Sequence, residues 1–201
     1  HNAAELLLFV GGTGLYFDAL LHGLAPVPDV PAEVVLQVQE EVAPLDAAAR
    51  LALLEREDPQ AAARLGVADP QRLIRALAVK RATGKSLSAF QAETEPGLLA
   101  DWDIERLVLD PERDLLRQRI ALRFNGMIEA GALDEVQALR AQNIDPTLPA
   151  TKAIGVPELS DYLDGVLSRD EAITRATIAT QQYAKRQRTW FRNRFSDWPR
   201  R

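Results

Sequence analysis

The chain has 201 residues, 47% of them apolar, which suffices for one substantial core with an inserted lobe and excludes a disordered polymer. It holds no cysteine and only two histidines, His1 and His22, which rules out disulfides and thiolate metal sites and argues against a histidine-built zinc site. A net charge of -5 excludes a uniformly basic nucleic-acid binder, so any affinity for RNA must come from local clusters. Such clusters exist: residues 183–201 hold seven basic side chains against the single acid Asp197, whereas residues 29–58 hold eight acids against Arg50 and Arg56. No apolar run approaches the ~20 residues of a membrane span and no signal peptide is visible, so a cytoplasmic address is expected.

His1 and Asn2 are given no role. Residues 6–10 are wholly apolar and end in Gly11-Gly12, which predicts a buried strand feeding a tight turn, with a helix over residues 13–21. A strand, a glycine turn and a helix N-terminus place backbone N–H groups and the Thr13 hydroxyl where a phosphate or ribose could sit. A turn needed only for packing reads equally from the same residues, since Phe17 stands at the last glycine position of the dinucleotide fingerprint. Pro26, Pro28 and Pro31 predict a stiff connector and a domain boundary. Short surface helices are predicted over residues 33–42, 46–57 and 59–65.

Asp69-Pro70 is a helix start, with Asp as N-cap and Pro in the first turn, and the helix is predicted through residue 82. Arg72 and Arg75 are three apart and share a face beside Gln71, which suits a clamp on phosphate or an ordinary solvated face. Thr83-Gly84-Lys85-Ser86 imitates the tail of a P-loop, but Val79 occupies the position of that loop's first glycine, so it reads as a glycine-capped helix end followed by a new helix. Residues 93–97 read as a loop and residues 104–109 as a second strand returning to an α/β core.

Asp110-Pro111 predicts the opening of a longer helix with an apolar stripe of Ile120, Phe124 and Met127. Arg119 and Arg123 share another face at i, i+4, a spacing that fits bidentate binding of a diphosphate or salt bridging with Glu112 or Asp114. A second helix is predicted over residues 133–140, a loop around Pro146 and Pro149, and a turn at residues 152–157 where Gly155 permits close backbone approach. Ser168 caps the last long helix, whose final turns carry Lys185, Arg186, Arg188, Arg192 and Arg194 beside Trp190 and Phe191. Cations along a helix neutralise a nucleic-acid backbone and flat rings stack on unpaired bases, although a solvated basic helix with core aromatics fits the same pattern.

Residues 179–192, from Ala179-Thr180-Gln181-Gln182-Tyr183 to Trp190-Phe191-Arg192, resemble the closing signature of the tRNA dimethylallyltransferases, also called tRNA isopentenyltransferases. Four further blocks resemble that family in its own order: Gly11-Gly12-Thr13-Gly14-Leu15-Tyr16, Asp69-Pro70-Gln71-Arg72-Leu73-Ile74-Arg75-Ala76-Leu77, residues 119–139, and Ala153-Ile154-Gly155. The resemblance implies a P-loop NTPase-like α/β core, partial in this chain, with a mainly helical insertion lobe and a helix-rich whole. Residues 1–25 and 101–201 then belong to the catalytic core and C-terminal tRNA-binding helices, and residues 26–100 to a lobe gripping the anticodon stem-loop.

The implied activity is transfer of a dimethylallyl group from its diphosphate to the exocyclic amine of the adenosine beside the tRNA anticodon. The implied catalytic residues are Thr13 and Arg123, with Arg123 and Arg119 on the diphosphate. The implied tRNA contacts are Thr13; Gln71, Arg72, Leu73, Ile74 and Arg75; Lys152, Ala153, Ile154, Gly155, Val156 and Pro157; and Lys185, Arg186, Gln187, Arg188, Thr189, Trp190, Phe191 and Arg192. Magnesium, the P-loop and the Asp that serves as general base are expected upstream of His1, so no metal ligand is expected within the chain. A monomer is expected. Three positions depart from the family pattern: Val35 and Gln181 where an Arg is common, and Val156 where a Tyr is usual. A helical RNA-binding module without chemistry and a P-loop small-molecule kinase are the competing readings.

Overall fold

Alanine- and leucine-rich stretches lose little side-chain freedom on coiling, and in this chain they become helices. The computed structural model describes residues 6–65, 69–146 and 148–201. His1, Asn2 and the part of the 146–149 loop at Thr147 lie outside the described residues. The helices in chain order are α1 (Gly14–His22), α2 (Ala32–Val42), α3 (Ala47–Glu57), α4 (Pro59–Leu65), α5 (Pro70–Thr83), α6 (Leu87–Ala92), α7 (Arg113–Glu129), α8 (Ala132–Ala141), α9 (Val156–Leu163) and α10 (Arg169–Arg194), with a 3-10 turn at Pro149–Lys152. No described helix is long and apolar enough to cross a membrane.

The predicted punctuation holds in most places for the reason that predicted it. Asp69, the predicted cap, accepts from the Gln71 N–H at 2.9 Å; two caps that were not predicted, Asp46 and Ser86, accept from the Ala49 N–H at 2.8 Å and the Ser88 N–H at 3.2 Å, each supplying an acceptor to a helix's first turn. Gly84 closes α5 in the left-handed region at φ 71°, as a glycine C-cap should, and the P-loop imitation is thus a helix end.

Two strand predictions fail. Residues 6–10 are extended but exposed, with Leu6 at 93% and Leu8 at 82%, and nothing among the described residues pairs with them. Residues 104–109 form a single parallel bridge from Val108 to Arg200 rather than a ladder. An apolar run becomes a strand only where a neighbouring strand takes up its N–H and C=O groups, and sequence periodicity does not report the neighbour. The described residues are therefore helix-rich without a sheet.

The chain divides into two compact units, Leu15–Asp103 and His1–Gly14 with Ile104–Arg201. The first boundary falls earlier than the proline connector because α1 is tied to later residues of its own unit: the Leu99 N–H donates to Leu20 C=O at 2.8 Å, and Gly97 lies so close to Leu20 that no Cβ would fit.

In the Leu15–Asp103 unit, Val38 and Val42 of α2, Leu53 and Leu54 of α3, Ala61 and Ala62 of α4, and Leu73, Ala76, Leu77 and Ala78 of α5 make one core. Arg81 of α5 bonds Glu57 of α3 through Nε at 2.9 Å and Nη2 at 2.8 Å, and reaches Glu41 of α2 at 2.7 Å. In the other unit, Phe124 of α7, Ala132 and Val136 of α8, Leu159 of α9, and Leu167 with Ala172 and Ala176 of α10 form a second core. The alanines are fully buried four residues apart, and their small size lets α10 approach its neighbours closely.

Candidate nucleic-acid interface

The long helix α10 starts from a reciprocal cap: the Ser168 hydroxyl accepts from the Glu171 N–H, and the Glu171 carboxylate accepts from the Ser168 N–H at 2.8 Å. That hydrogen bond from the Ser168 backbone holds the Glu171 carboxyl below its ordinary range. Asp170 and Glu171 in the first turn and Arg192 and Arg194 in the last complement the helix dipole. Its N-terminal half is buried through Ala172 and Ala176, and the C-terminal half leaves the core behind.

Aromatic packing and ion pairs fix that C-terminal half. The Phe195 and Trp198 rings stack at 4.1 Å, Trp190 meets Phe195 edge-on at 5.2 Å, and Phe191 completes the group. Arg188 Nε and Asp110 Oδ1 are buried 2.7 Å apart, close enough for an ion pair, although the N–H does not point along the contact. Arg200 stands 3.7 Å from the same carboxylate and donates to the carbonyls of Phe191 and Phe195. Backbone bonds from Val108 N–H to Pro199 C=O and from Arg201 N–H to Val108 C=O, at 2.8 and 3.0 Å, fasten the tail. Asp110 therefore braces α10 instead of opening α7, where Glu112 is the cap and accepts from the N–H groups of Asp114 and Leu115. Those bonds, Leu115 first, hold the Glu112 carboxyl below its usual value.

One face of α10 remains open over a hollow of about 700 Å³ lined by Gln182, Lys185, Arg186, Thr189, Trp190, Asn193 and Arg194. These positions recur at three and four residues, a single helical stripe that carries three cations and one indole. A shallow cationic stripe with a partly exposed ring has the chemistry to hold phosphates and one unstacked base. Arg186 lies 5.6 Å over the Tyr183 ring. Arg194 is among the cations the sequence singles out, while Gln182 and Asn193 extend the stripe beyond them, and continuing the i, i+4 series along the sequence would have found both.

The glycine turn reaches the same helix. Gln187 Nε2 donates to the Gly12 carbonyl at 2.9 Å, and a Cβ on Gly14 would stand 2.0 Å from Trp190 ring carbons. Thr13 between them is exposed. On α7, Phe124 rather than Met127 faces the core; Ile128 packs with it and Met127 is exposed, because the stripe follows i, i+4 spacing here. Arg123 and Arg119 are exposed and Asp114 pairs with Arg117 instead. The buried Phe124 ring also meets Gly155, whose φ of 103° favours glycine and where a Cβ would stand a tight 3.2 Å from the ring. The Lys152–Pro157 turn is thereby held on α7, with Glu158 accepting from the Gly155 N–H at 2.9 Å. Lys152, Ala153, Ile154 and Pro157 are exposed and Val156 is half-buried.

On α5, Gln71, Arg72 and Arg75 are exposed, and Arg72 lies 3.4 Å from Asp69. Leu73 is buried in the core and Ile74, half-buried, packs against it. Phe191, in the aromatic group, and Arg188, paired with Asp110, are likewise committed internally. Among the described residues no three His, Cys, Asp or Glu side chains stand close enough to hold a metal ion.

The IPP transferase family model matches residues 1–194. The tRNA dimethylallyltransferase of Methylobacterium sp. (strain 4-46) is 52% identical over 95% of this chain and 62% of its own length. That of Sphingopyxis alaskensis is 48% identical over 100% of this chain and 64% of its own. The chain thus spans just under two thirds of these relatives. The solved full-length tRNA isopentenylpyrophosphate transferase from Bacillus halodurans is similar over 94% of this chain and 57% of its own, with 31% identity and a TM-score of 0.55. A eukaryotic dimethylallyltransferase, solved acting on tRNA, is similar over 90% of this chain and 46% of its own, with 26% identity and a TM-score of 0.65.

Proposed function

The chain belongs to the IPP transferase family, and from that premise we propose that it is the tRNA-engaging part of a tRNA dimethylallyltransferase. The enzyme transfers a dimethylallyl group from dimethylallyl diphosphate to the exocyclic amine of the adenosine next to the anticodon. The observation that carries this reading is the open cationic face of α10, with its partly exposed indole and the Thr13 turn fastened to it, in a chain whose net charge is -5. An acidic protein that concentrates Lys185, Arg186 and Arg194 on one stripe has built a local phosphate surface.

In the reaction the adenine leaves its stack and its amine nitrogen bonds the allylic carbon. The carbon–oxygen bond to diphosphate breaks with its electron pair going to the diphosphate, and the amine proton passes to a general base. Arg123, with Arg119 one turn away, supports the departing diphosphate through bidentate hydrogen bonds that strengthen as charge develops. Thr13 orients the base, while Lys185, Arg186, Thr189 and Arg192 hold the backbone of the anticodon loop. Gln71, Arg72 and Arg75 on the helical lobe grip the stem, and Lys152 adds charge at the glycine turn. The described residues do not form the magnesium site that the family implies, so no step is routed through it. The catalytic part belongs to a P-loop NTPase-like core, and the protein works as a cytoplasmic monomer.

The test is prenylation of an anticodon stem-loop by the full-length protein supplied with dimethylallyl diphosphate, read by mass spectrometry of the adenosine. Binding of the stem-loop without prenylation would identify an RNA-binding module instead.

A further inference from the structure

Residues 11–13 are exposed, and no strand ladder among the described residues braces them. Glycine-rich backbone loses more freedom on ordering than any other, so such a turn keeps one geometry only where something outside it removes that freedom. Two side chains of α10 do so. The Gln187 amide donates to the Gly12 carbonyl across 175 residues of sequence. The Trp190 indole fills the space over Gly14, which is buried as a result. The contact to Trp190 requires glycine at 14, where a Cβ would stand 2.0 Å from the ring, whereas a Cβ on Gly12 would stand 2.3 Å from the Gln187 amide nitrogen and displace the end of that side chain from its hydrogen bond.

Gln187 is absent from the lining of the hollow, where Lys185, Arg186 and Thr189 stand. One residue turns a helix by about 100°, so neighbours in sequence point to different surroundings, and Gln187 points to the turn. Trp190 serves both, since one indole lines the hollow and covers Gly14. We propose that Gln187 and Trp190 are positioning residues that clamp the Gly11–Gly14 turn on α10 and so set the Thr13 hydroxyl toward the reacting base, with Gln187 making no contact to RNA. This rests on the dimethylallyltransferase reading, and the wild-type enzyme serves as its control: failure of wild type to prenylate removes that reading and this inference together.

With an active wild type, the full-length Gln187→Ala and Gln187→Glu variants separate clamp from contact. Loss of the clamp lowers kcat on the order of ten- to a hundredfold, because misplacement by about 1 Å carries a penalty of that size. The tRNA Kd, the KM for dimethylallyl diphosphate and the helical circular dichroism stay within about twofold of wild type. A raised tRNA Kd at unchanged kcat, or no change in either, overturns the proposal. A double-mutant cycle tests Trp190 without relying on Gln187: Gly14→Ala drives a methyl into the ring, and Trp190→Leu vacates that space. The double variant is expected to be more active than Gly14→Ala alone. Equal or lower activity overturns the role assigned to Trp190.

Discussion

Replacing Arg81 by Met tests how the helical lobe is held together, because one guanidinium joins three helices there. Its stem survives in the Met, while both hydrogen bonds to Glu57 and the contact to Glu41 are lost. The Arg81 and Glu57 side chains are 28% and 24% exposed, which places the pair between a solvated and a buried ion pair. Two such pairs at about 0.5–1 kcal/mol each give an expected loss of about 1–2 kcal/mol at neutral pH, since Glu41 and Glu57 then face each other with like charge. The pH dependence sharpens the test. The hydrogen bond from Arg81, then its charge, holds the Glu57 carboxyl below its ordinary value of 4.5. A carboxyl depressed in the folded state contributes stability that is present above its unfolded value and lost as the pH falls through the folded one. The difference between wild type and Arg81→Met should therefore be full at neutral pH and shrink as the pH drops below 4.5. Urea denaturation of both proteins at neutral pH and at about pH 3 measures it. An equal difference at the two pH values would refute the electrostatic account and leave packing as the cause.

Arg123→Ala is expected to lower kcat and to raise the KM for dimethylallyl diphosphate with little change in tRNA affinity, checked by steady-state kinetics and filter binding. Lys185→Ala with Arg186→Ala should weaken tRNA binding and reduce the slope of log K against log salt by about 1.4–1.8, the value for two lost phosphate contacts. Leu77→Ala, at a fully buried site between the lobe's helices, should cost about 2–5 kcal/mol in a denaturant titration, whereas an exposed leucine such as Leu98 should be nearly silent.

Glycine, proline and capping residues were legible because their effects are local. Asp69 and Ser168 cap where the sequence places them, and Gly84 ends α5, since each acts on backbone within three or four residues of itself. The cationic helix was legible for the same reason: charge and rings at helical spacing define a face without reference to the rest of the chain. Residues 6–10 and 104–109 depart from the strands their local pattern predicts, because a strand is a relation between two segments and only one of them is visible in a local pattern.

Which member of a local motif faces inward was also out of reach of spacing alone. The stretch 71–75 reads as one block, yet the lobe's core takes Leu73, packs Ile74 half-buried against it, and leaves Gln71, Arg72 and Arg75 to solvent. Nothing near Asp110 in the sequence announces Arg188 or Arg200, and nothing near Gly12 announces Gln187, because these partners are selected by the approach of distant backbone. Sequence determined the helices, their ends and the cationic stripe through short-range sterics and hydrogen bonding. Tertiary structure alone decided which of those charges are paired, which rings are core and what holds the glycine turn, since contacts between residues far apart in the chain exist only once it has folded.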